Sequence, residues 1–372
     1  MVALGTTYIK HQPLTSRGVL TKVSSKNVDP LEAARLAANS HTHALRKVYE
    51  SIAELKKNTD IDPKRRAASL SRLYAKLSWR DVRASISKEV ERKRIGVSFR
   101  ASISHIRLVK HELRRLGYEI SPGGNPKMQD RAFADALGIP TPKTLQTGQT
   151  ALSLSINPNT VVKPITGAAS KGVFLINDDT TAISVYSGEQ YESFLDGLKT
   201  EYGSTNLVSA PVWVSETRVG SIDAPARDLK VFCFYGKAAL IEEIHRHTGA
   251  QGKNEYCFYY PNGEKVFVDT NRARYNGDGF PSQIIEYAEA ISSNSPVPFL
   301  RVDFMESEGH VVLGEITPQP GGTYAGQLHE HIDRELGESF LKAEARLFVD
   351  LINGKRFDTY FDSYPNARPQ NF

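Results

Sequence analysis

Two carboxylates in the C-terminal third of the chain are spaced to share a cation. The apolar runs Phe299-Leu-Arg-Val-Asp-Phe304 and Val311-Val-Leu-Gly-Glu-Ile-Thr317 flank the polar turn Glu306-Ser307-Glu308-Gly309, a pattern that predicts a β-hairpin. A turn near Gly309 sets Asp303 opposite Glu315 and Arg301 opposite Thr317. Alternate strand residues share a face, so these four form one polar patch. Val302, Phe304, Val312 and Ile316 are then expected on a buried face, which argues against a merely solvated hairpin. Opposed residues lie roughly 4.5–5.5 Å apart at Cβ. Two carboxylates held that close repel unless a proton or cation lies between them. A hard cation such as Mg²⁺, or Mn²⁺ in its place, bound through carboxylates and substrate phosphates, suits the pair.

A second segment, Thr160-Val-Val-Lys-Pro-Ile-Thr-Gly-Ala-Ala-Ser-Lys-Gly-Val-Phe-Leu-Ile176, supplies the complementary charge. A strand ends at Lys163, and a loop of small residues including Ser170 and Gly172 lets backbone N–H groups approach a phosphate. Val173-Phe174 follows the last glycine where a Walker A motif has Lys-Ser, and the next element is strand-like. Such a loop is often only a tight turn. Paired with a downstream carboxylate hairpin, it describes a site for a nucleotide and magnesium.

The elements that must position these groups are mixed. Residues 1–28 lack periodicity and form an arm. Helical spacing starts at Asp29-Pro30, an N-cap followed by an N1 proline, and recurs over about Pro63–Lys93 and Ser102–Leu116. The breaker Ser121-Pro-Gly-Gly-Asn-Pro126 marks a domain boundary. A helix over Lys127–Leu137 and then strands at Thr160–Lys163, Val173–Ile176, Val212–Val214, Leu229–Tyr235, Ala238–Ile244 and Tyr256–Tyr260 follow. They interleave with helices near Ser187–Tyr202, Pro281–Ser292 and Asp333–Ile352. This is an α+β body without regular βαβ alternation, which disfavours a doubly wound sheet.

Charge divides the chain in the same way. Residues 1–120 carry 25 Lys and Arg against 11 Asp and Glu, so the remainder of this +5 chain has a balance of −9. The basic helices are expected to be a solvated cap or to dock on an anionic membrane surface. Nucleic acid is disfavoured because no aromatic interleaving accompanies the charge. No apolar run approaches a membrane span, the start lacks a signal-peptide pattern, and a cytoplasmic location is expected. Cys233 and Cys257, the only cysteines, sit in aromatic strands and are expected to be reduced and buried.

The ordered motifs from about Pro126 to Gly337 resemble the ATP-grasp superfamily. Gln129-Asp130-Arg131 with Gly138-Ile-Pro-Thr-Pro142 looks like its leading helix and turn; Val161-Val-Lys-Pro with Ser170-Lys-Gly-Val looks like its lysine strand and phosphate loop. Val212-Trp-Val-Ser-Glu216 resembles the hinge strand, Arg227-Asp-Leu-Lys-Val-Phe-Cys-Phe-Tyr-Gly-Lys237 the strand pair carrying a basic residue, and Arg301-Val-Asp303 with Gly314-Glu-Ile-Thr317 the metal hairpin. The variants are closest to the TupA-like branch, associated with attaching amino acids to cell-surface polysaccharides. The resemblance implies two α+β subdomains clasping ATP, 121–210 and 211–355. A basic helical region 29–120 precedes them and a tail 356–372 follows.

It also implies roles. Arg131, Lys163, Ser170, Gly172, Val214 and Glu216 bind ATP, with Ser215 the alternative to Glu216 at the hinge. Lys230 and Arg301 are catalytic, neutralising the transferred phosphoryl group. Asp303 and Glu315 hold Mg²⁺, with Thr317 in place of the usual asparagine; Arg131 replaces a lysine, with altered geometry. The implied reaction is ATP-dependent joining of a carboxylate and an amine through an acyl phosphate. A kinase acting on a hydroxyl and a non-catalytic nucleotide- or anion-binding adaptor are the alternatives. His245, Arg272 and Arg274 are candidate substrate contacts, and Gly321 and Gly322 of Pro320-Gly-Gly-Thr-Tyr324 are expected to line the acceptor pocket. Gly167–Gly172 and Thr248–Asn254 are candidate lids. His329 and His331 are further substrate candidates, and Tyr256–Tyr260 is expected to be core packing.

Overall fold

A computed structural model describes residues 30–78, 81–94, 96–117, 126–148, 150–165, 170–177, 181–206, 212–221, 226–246, 254–268, 272–318 and 328–367. The chain divides into two compact units, Met1–Ile95 and Gly96–Phe372.

The first unit contains helices α1 (Pro30–Lys57), α2 (Pro63–Tyr74) and α3 (Ala84–Arg92). Their apolar faces enclose a small core of Tyr49, Ile52, Leu70, Tyr74, Leu77, Ile86 and Val90. Asp62 caps α2 by accepting the Arg65 N–H at 2.9 Å. The single helix expected over Pro63–Lys93 is in fact two. The Tyr49 hydroxyl donates to the Asp81 carbonyl at 2.5 Å and accepts the Arg83 N–H at 2.9 Å. These bonds satisfy backbone groups at the interruption that a continuous helix would otherwise pair.

The second unit runs α4 (Phe99–Arg115), α5 (Pro126–Ala136), β1 (Thr144–Gly148), β2 (Thr160–Pro164), β3 (Phe174–Ile176), β4 (Ala182–Ser184), β5 (Gln190–Tyr191), α6 (Phe194–Asn206) and β6 (Trp213–Thr217). It continues through β7 (Arg227–Cys233), β8 (Ala238–His245), β9 (Glu255–Tyr259), β10 (Ala273–Arg274), α7 (Gln283–Ser293), β11 (Leu300–Ser307), β12 (His310–Thr317), α8 (Glu330–Ile352) and α9 (Asp358–Ser363). The strands form two six-stranded sheets, ordered β1-β6-β2-β3-β4-β5 and β10-β9-β8-β7-β11-β12. This is the α+β architecture expected of an ATP-grasp body.

Helix α4 lies in the basic stretch of the sequence yet packs on α8 in the second unit. Ser98 donates to Asp333 at 2.7 Å and the Arg100 N–H reaches the same carboxylate at 2.9 Å. Phe99 packs against Phe299 with ring centroids 5.0 Å apart. Gly337 permits this approach: a Cβ there would stand 2.8 Å from the Ser98 and Phe99 backbone.

The β11–β12 hairpin has the expected pairs, Asp303 with Glu315 and Arg301 with Thr317. It reaches them through a bulge. From the turn to Phe304 the register pairs Ser307 with His310 and Phe304 with Leu313; the extra residue on β12 then brings Glu315, not Gly314, opposite Asp303. The bulge also reverses which β12 residues face inward. Val311 and Leu313 are buried, whereas Val312, expected in the core, is only half-buried.

Helix α5 ties both sheets together through consecutive residues. Arg131 donates to Glu216 on β6 and, at 2.7 Å, to the Thr144 hydroxyl on β1. Asp130 accepts the Ile316 N–H of β12 at 3.0 Å and the Tyr364 hydroxyl at 2.6 Å. Burial pushes the Asp130 carboxyl up to about 7, with the Glu315 charge adding to the rise against both hydrogen bonds. A carboxyl raised on folding favours the native state most below its unfolded value near 4, and that contribution is lost as pH rises towards 7. Asp130→Asn is therefore expected to flatten the fall in stability between pH 4 and 7, read from urea midpoints across that range. An unchanged slope would refute the assignment.

Candidate active site

On the first sheet, Lys163 of β2 pairs with Val214 of β6, and Glu216 lies two residues along on the same face. Glu216 is 2% exposed and takes ion pairs from both Lys163 and Arg131. Burial holds the Lys163 pKa below the usual lysine range, although Glu216 works in the opposite direction. Strand alternation turns Ser215 away from Lys163, to the opposite, buried face with Trp213 and Val162. Ser170 adopts a left-handed φ of 60°, uncommon for a residue with a Cβ. The Gly172 N–H reaches the Tyr202 hydroxyl at 3.3 Å. Residues 166–169 of that loop lie outside the described residues.

On the second sheet the site is a single row across five strands. Glu315, Asp303, Lys230, Glu242 and Phe258 are successive cross-strand partners on β12, β11, β7, β8 and β9. Directly opposed residues share a face, so one line carries the adjacent carboxylates of Glu315 and Asp303, then the Lys230 ammonium, then the Glu242 carboxylate. Lys230 bonds Asp303 at 2.5 Å and Asp228 at 2.9 Å. Burial disfavours its ammonium, but the two carboxylates outweigh that and hold its pKa above the ordinary value. Arg301 grips Asp303 with two bonds of 2.7 and 2.8 Å. Glu242, almost wholly buried, pairs with Arg272; burial raises its pKa against that cation.

The two groups of residues approach each other along α5 and the turn after it. Asp130 and Arg131 are adjacent, one bound to β12 and the other to β6. The Leu313 N–H bonds the Pro140 carbonyl at 2.8 Å, and four residues beyond Pro140 the chain enters β1 at Thr144. Four residues span at most about 14 Å, so the start of β1 lies no further than that from the Pro140 carbonyl that holds β12.

The remaining candidates fall as follows. Val214 shares the Lys163 face. Arg272 and Arg274 stand at the outer edge of the second sheet, stacked on Tyr256 and Phe267. His245, at the end of β8, alternates to the face opposite Glu242, where its ring packs at 5.4 Å from Tyr275. It is not brought into the charged row, because three residues along a strand reverse the side-chain direction. Gly321, Gly322 and the Thr248–Lys253 part of the second expected lid lie outside the described residues. Within Tyr256–Tyr260, Cys257, Phe258 and Tyr259 are buried as expected, and both cysteines are free.

Three residues escape local pattern reading: Glu242, Asp228 and Asp130. The first had a visible signal, two carboxylates inside the apolar run Leu240-Ile-Glu-Glu-Ile244. The other carboxylate of that run, Glu243, is fully buried on the opposite face against Arg227 and Tyr259.

The hairpin also fits a divalent cation. Among the described residues no cluster of three or more His, Cys, Asp or Glu could hold a metal by itself. Mg²⁺, however, commonly uses one or two carboxylates and completes its shell with phosphates and water. Beside the Asp303–Glu315 pair, the buried Thr317 hydroxyl oxygen has no hydrogen-bond partner. An orphaned buried oxygen there costs free energy unless a ligand or ion satisfies it.

Two sheets are joined by one helix, with a buried Lys–Glu–Arg cluster on one and a carboxylate hairpin on the other, and the family match places this body among the ATP-grasp enzymes. These are ATP-dependent ligases that form C–N bonds and use ATP with Mg²⁺. A model of the TupA-like ATP-grasp family matches residues 136–341, and the chain belongs to that family. Among solved structures, D-alanine–D-alanine ligase from Bacillus anthracis is 16% identical with a TM-score of 0.40, covering 66% of this chain and 77% of that one. The ATP-grasp ligase PsnB, complexed with minimal precursor, is 12% identical with a TM-score of 0.35, over 64% and 70% of the two chains. An L-amino acid ligase from Bacillus licheniformis is 12% identical with a TM-score of 0.34, over 58% and 48%. No curated protein sequence matches the chain. Among the described residues no helix is long and apolar enough to cross a membrane.

Proposed function

We propose that the protein is a carboxylate–amine ligase that activates a carboxylate as an acyl phosphate and joins it to an amino acid or small amine. The acceptor in this reading is a carboxylate of a cell-surface polysaccharide or its precursor. The observation that carries it is the row Glu315–Asp303–Lys230, with Arg301 fastened to its centre. Lys163 and Arg131 meet the ATP phosphates, and Val214 and Glu216 lie against the nucleoside. Ser170 and Gly172 offer backbone N–H groups to the phosphates.

Asp303, Glu315 and the Thr317 hydroxyl would hold Mg²⁺, which would neutralise charge on the β- and γ-phosphates. Lys230 and Arg301 stabilise charge on the transferring phosphoryl group and on the tetrahedral adduct formed when the amine attacks. Arg272 and Arg274 orient the anionic acceptor. The positive excess of residues 1–120 supports contact of the N-terminal helices with an anionic membrane surface from the cytoplasmic side.

Product analysis tests the reading. A ligase requires an amine for turnover, releases free phosphate and yields an amide. A stable phosphorylated product without an amine requirement would transfer the assignment to a kinase. Lys163→Ala removes a charge-assisted contact worth about 1.5–3 kcal/mol and is expected to weaken ATP binding by roughly 10- to 100-fold, measured by calorimetry. Unchanged affinity would remove Lys163 from the nucleotide site.

A further inference from the structure

The register of the carboxylate hairpin is held from outside its sheet. Among the described strands β12 ends the sheet, with β11 as its neighbour. In an antiparallel ladder every second N–H points away from the partner strand. The Leu313 N–H does so and meets the Pro140 carbonyl at 2.8 Å. On a regular strand the next outward N–H would belong to Glu315. It belongs instead to Ile316, whose N–H meets Asp130 at 3.0 Å. The added residue is the bulge, and the same addition puts Glu315 rather than Gly314 opposite Asp303. The Asp130 carboxylate therefore finds this donor only in the register that pairs the two acidic residues, and the donor lies between Glu315 and Thr317 in the chain.

Asp130 is itself held at both oxygens. Oδ2 accepts the Ile316 N–H, and Oδ1 accepts the Tyr364 hydroxyl at 2.6 Å. Both residues are buried, so bulk water is a poor substitute for either bond. Tyr364 comes from the C-terminal segment, for which the sequence predicts only a tail. That segment is fastened where it leaves α8: Lys355 donates to the Ser293 carbonyl at 2.9 Å and to the Tyr235 hydroxyl and Asp350 at 3.0 Å each. It then lays Tyr360 and Tyr364 on Phe133 of α5, with ring centroids 5.5 and 5.8 Å away. The hydroxyl thus reaches Asp130 from a packed aromatic cluster.

We propose that Asp130 and Tyr364 are positioning residues for the metal hairpin, holding β12 in the bulged register that sets Glu315 opposite Asp303 and so setting how tightly the site takes a divalent cation. This rests on the assignment of Mg²⁺ to that hairpin. Neither residue touches the cation in this scheme. Asp130 acts through the Ile316 backbone, and Tyr364 acts by fixing the direction of the Asp130 carboxylate.

The test is calorimetric titration of the full chain with a non-hydrolysable ATP analogue, once with saturating Mn²⁺ and once with EDTA. The ratio of the two affinities measures what the metal contributes. The experiment needs neither amine nor turnover, so it fails separately from amide formation. Asp130→Leu, which keeps the bulk and removes both acceptor oxygens, is expected to lower the ratio about tenfold, the usual scale for partners of metal ligands. Tyr364→Phe is expected to lower it about threefold, as the loss of one hydrogen bond would. Asp130→Asn keeps an oxygen for the Ile316 N–H and is expected to retain most of the ratio. Affinity in EDTA is expected to match the parent in all three, and urea midpoints check that each folds. If Asp130→Leu does not fold, Tyr364→Phe decides. A parent ratio of one, or an unchanged ratio in the folded variants, overturns the proposal. So does an equal loss of affinity with and without Mn²⁺, which would mark a general disturbance of α5. An Asn variant as weak as the Leu variant also overturns it, because the charge of Asp130 and not its bond to the backbone would then matter.

Discussion

Glu315→Gln is expected to lower turnover by about 10²- to 10³-fold, the loss typical of removing one group that stabilises transition-state charge, while the protein stays folded. Glu315 is solvent-exposed on β12, and surface substitutions of this kind usually shift stability by no more than about 0.5 kcal/mol. The change keeps the shape and removes only the charge that opposes Asp303. Asp303→Asn is a harsher replacement. Asp303 is buried and neutralises Arg301 and Lys230 together, so its loss leaves two cations short of a counter-ion and costs folding as well as activity. Steady-state rates and urea midpoints measured together separate the two effects. A Glu315→Gln enzyme with the parent rate would show that the hairpin does not serve the reaction.

Glu216→Gln is expected to destabilise the ligand-free protein by about 3–5 kcal/mol, the usual cost of breaking a buried ion pair from one side. Glu216 is the shared partner of Lys163 and Arg131, and a neutral amide leaves both cations under-compensated. The same two cations are assigned to the ATP phosphates. Bound ATP would supply the missing negative charge, so the gap in unfolding midpoint between variant and parent should narrow at saturating ATP. If the gap is the same with and without ATP, Glu216 has a purely structural role and the nucleotide lies elsewhere.

The legible parts of this protein are those written in local alternation. Two apolar runs and one turn announce the hairpin, but the turn register alone would set Gly314 opposite Asp303, and the pairs 303–315 and 301–317 arise only through the bulge. The phosphate-loop position follows from small residues between two strands. The Gly314 bulge is less legible, because one extra residue leaves both flanking runs apolar. It nevertheless exchanges Val312 for Val311 and Leu313 in the core. The interruption between α2 and α3 likewise depends on a hydroxyl from α1, thirty-odd residues away, and periodicity within one helix cannot report it.

What the chain alone determines is therefore the chemical inventory and its local spacing: a lysine strand, a small-residue loop, a carboxylate hairpin and the family they belong to. Tertiary structure alone decides which charges meet. Asp130 and Arg131 are neighbours in sequence, yet one fastens β12 and the other β6. Glu242 enters the charged row only because β8 lies beside β7, and His245 leaves it through alternation on that same strand. The physical reason is that charge pairing and burial are set by distances between strands far apart in sequence, whereas periodicity records only which face of its own element a residue occupies.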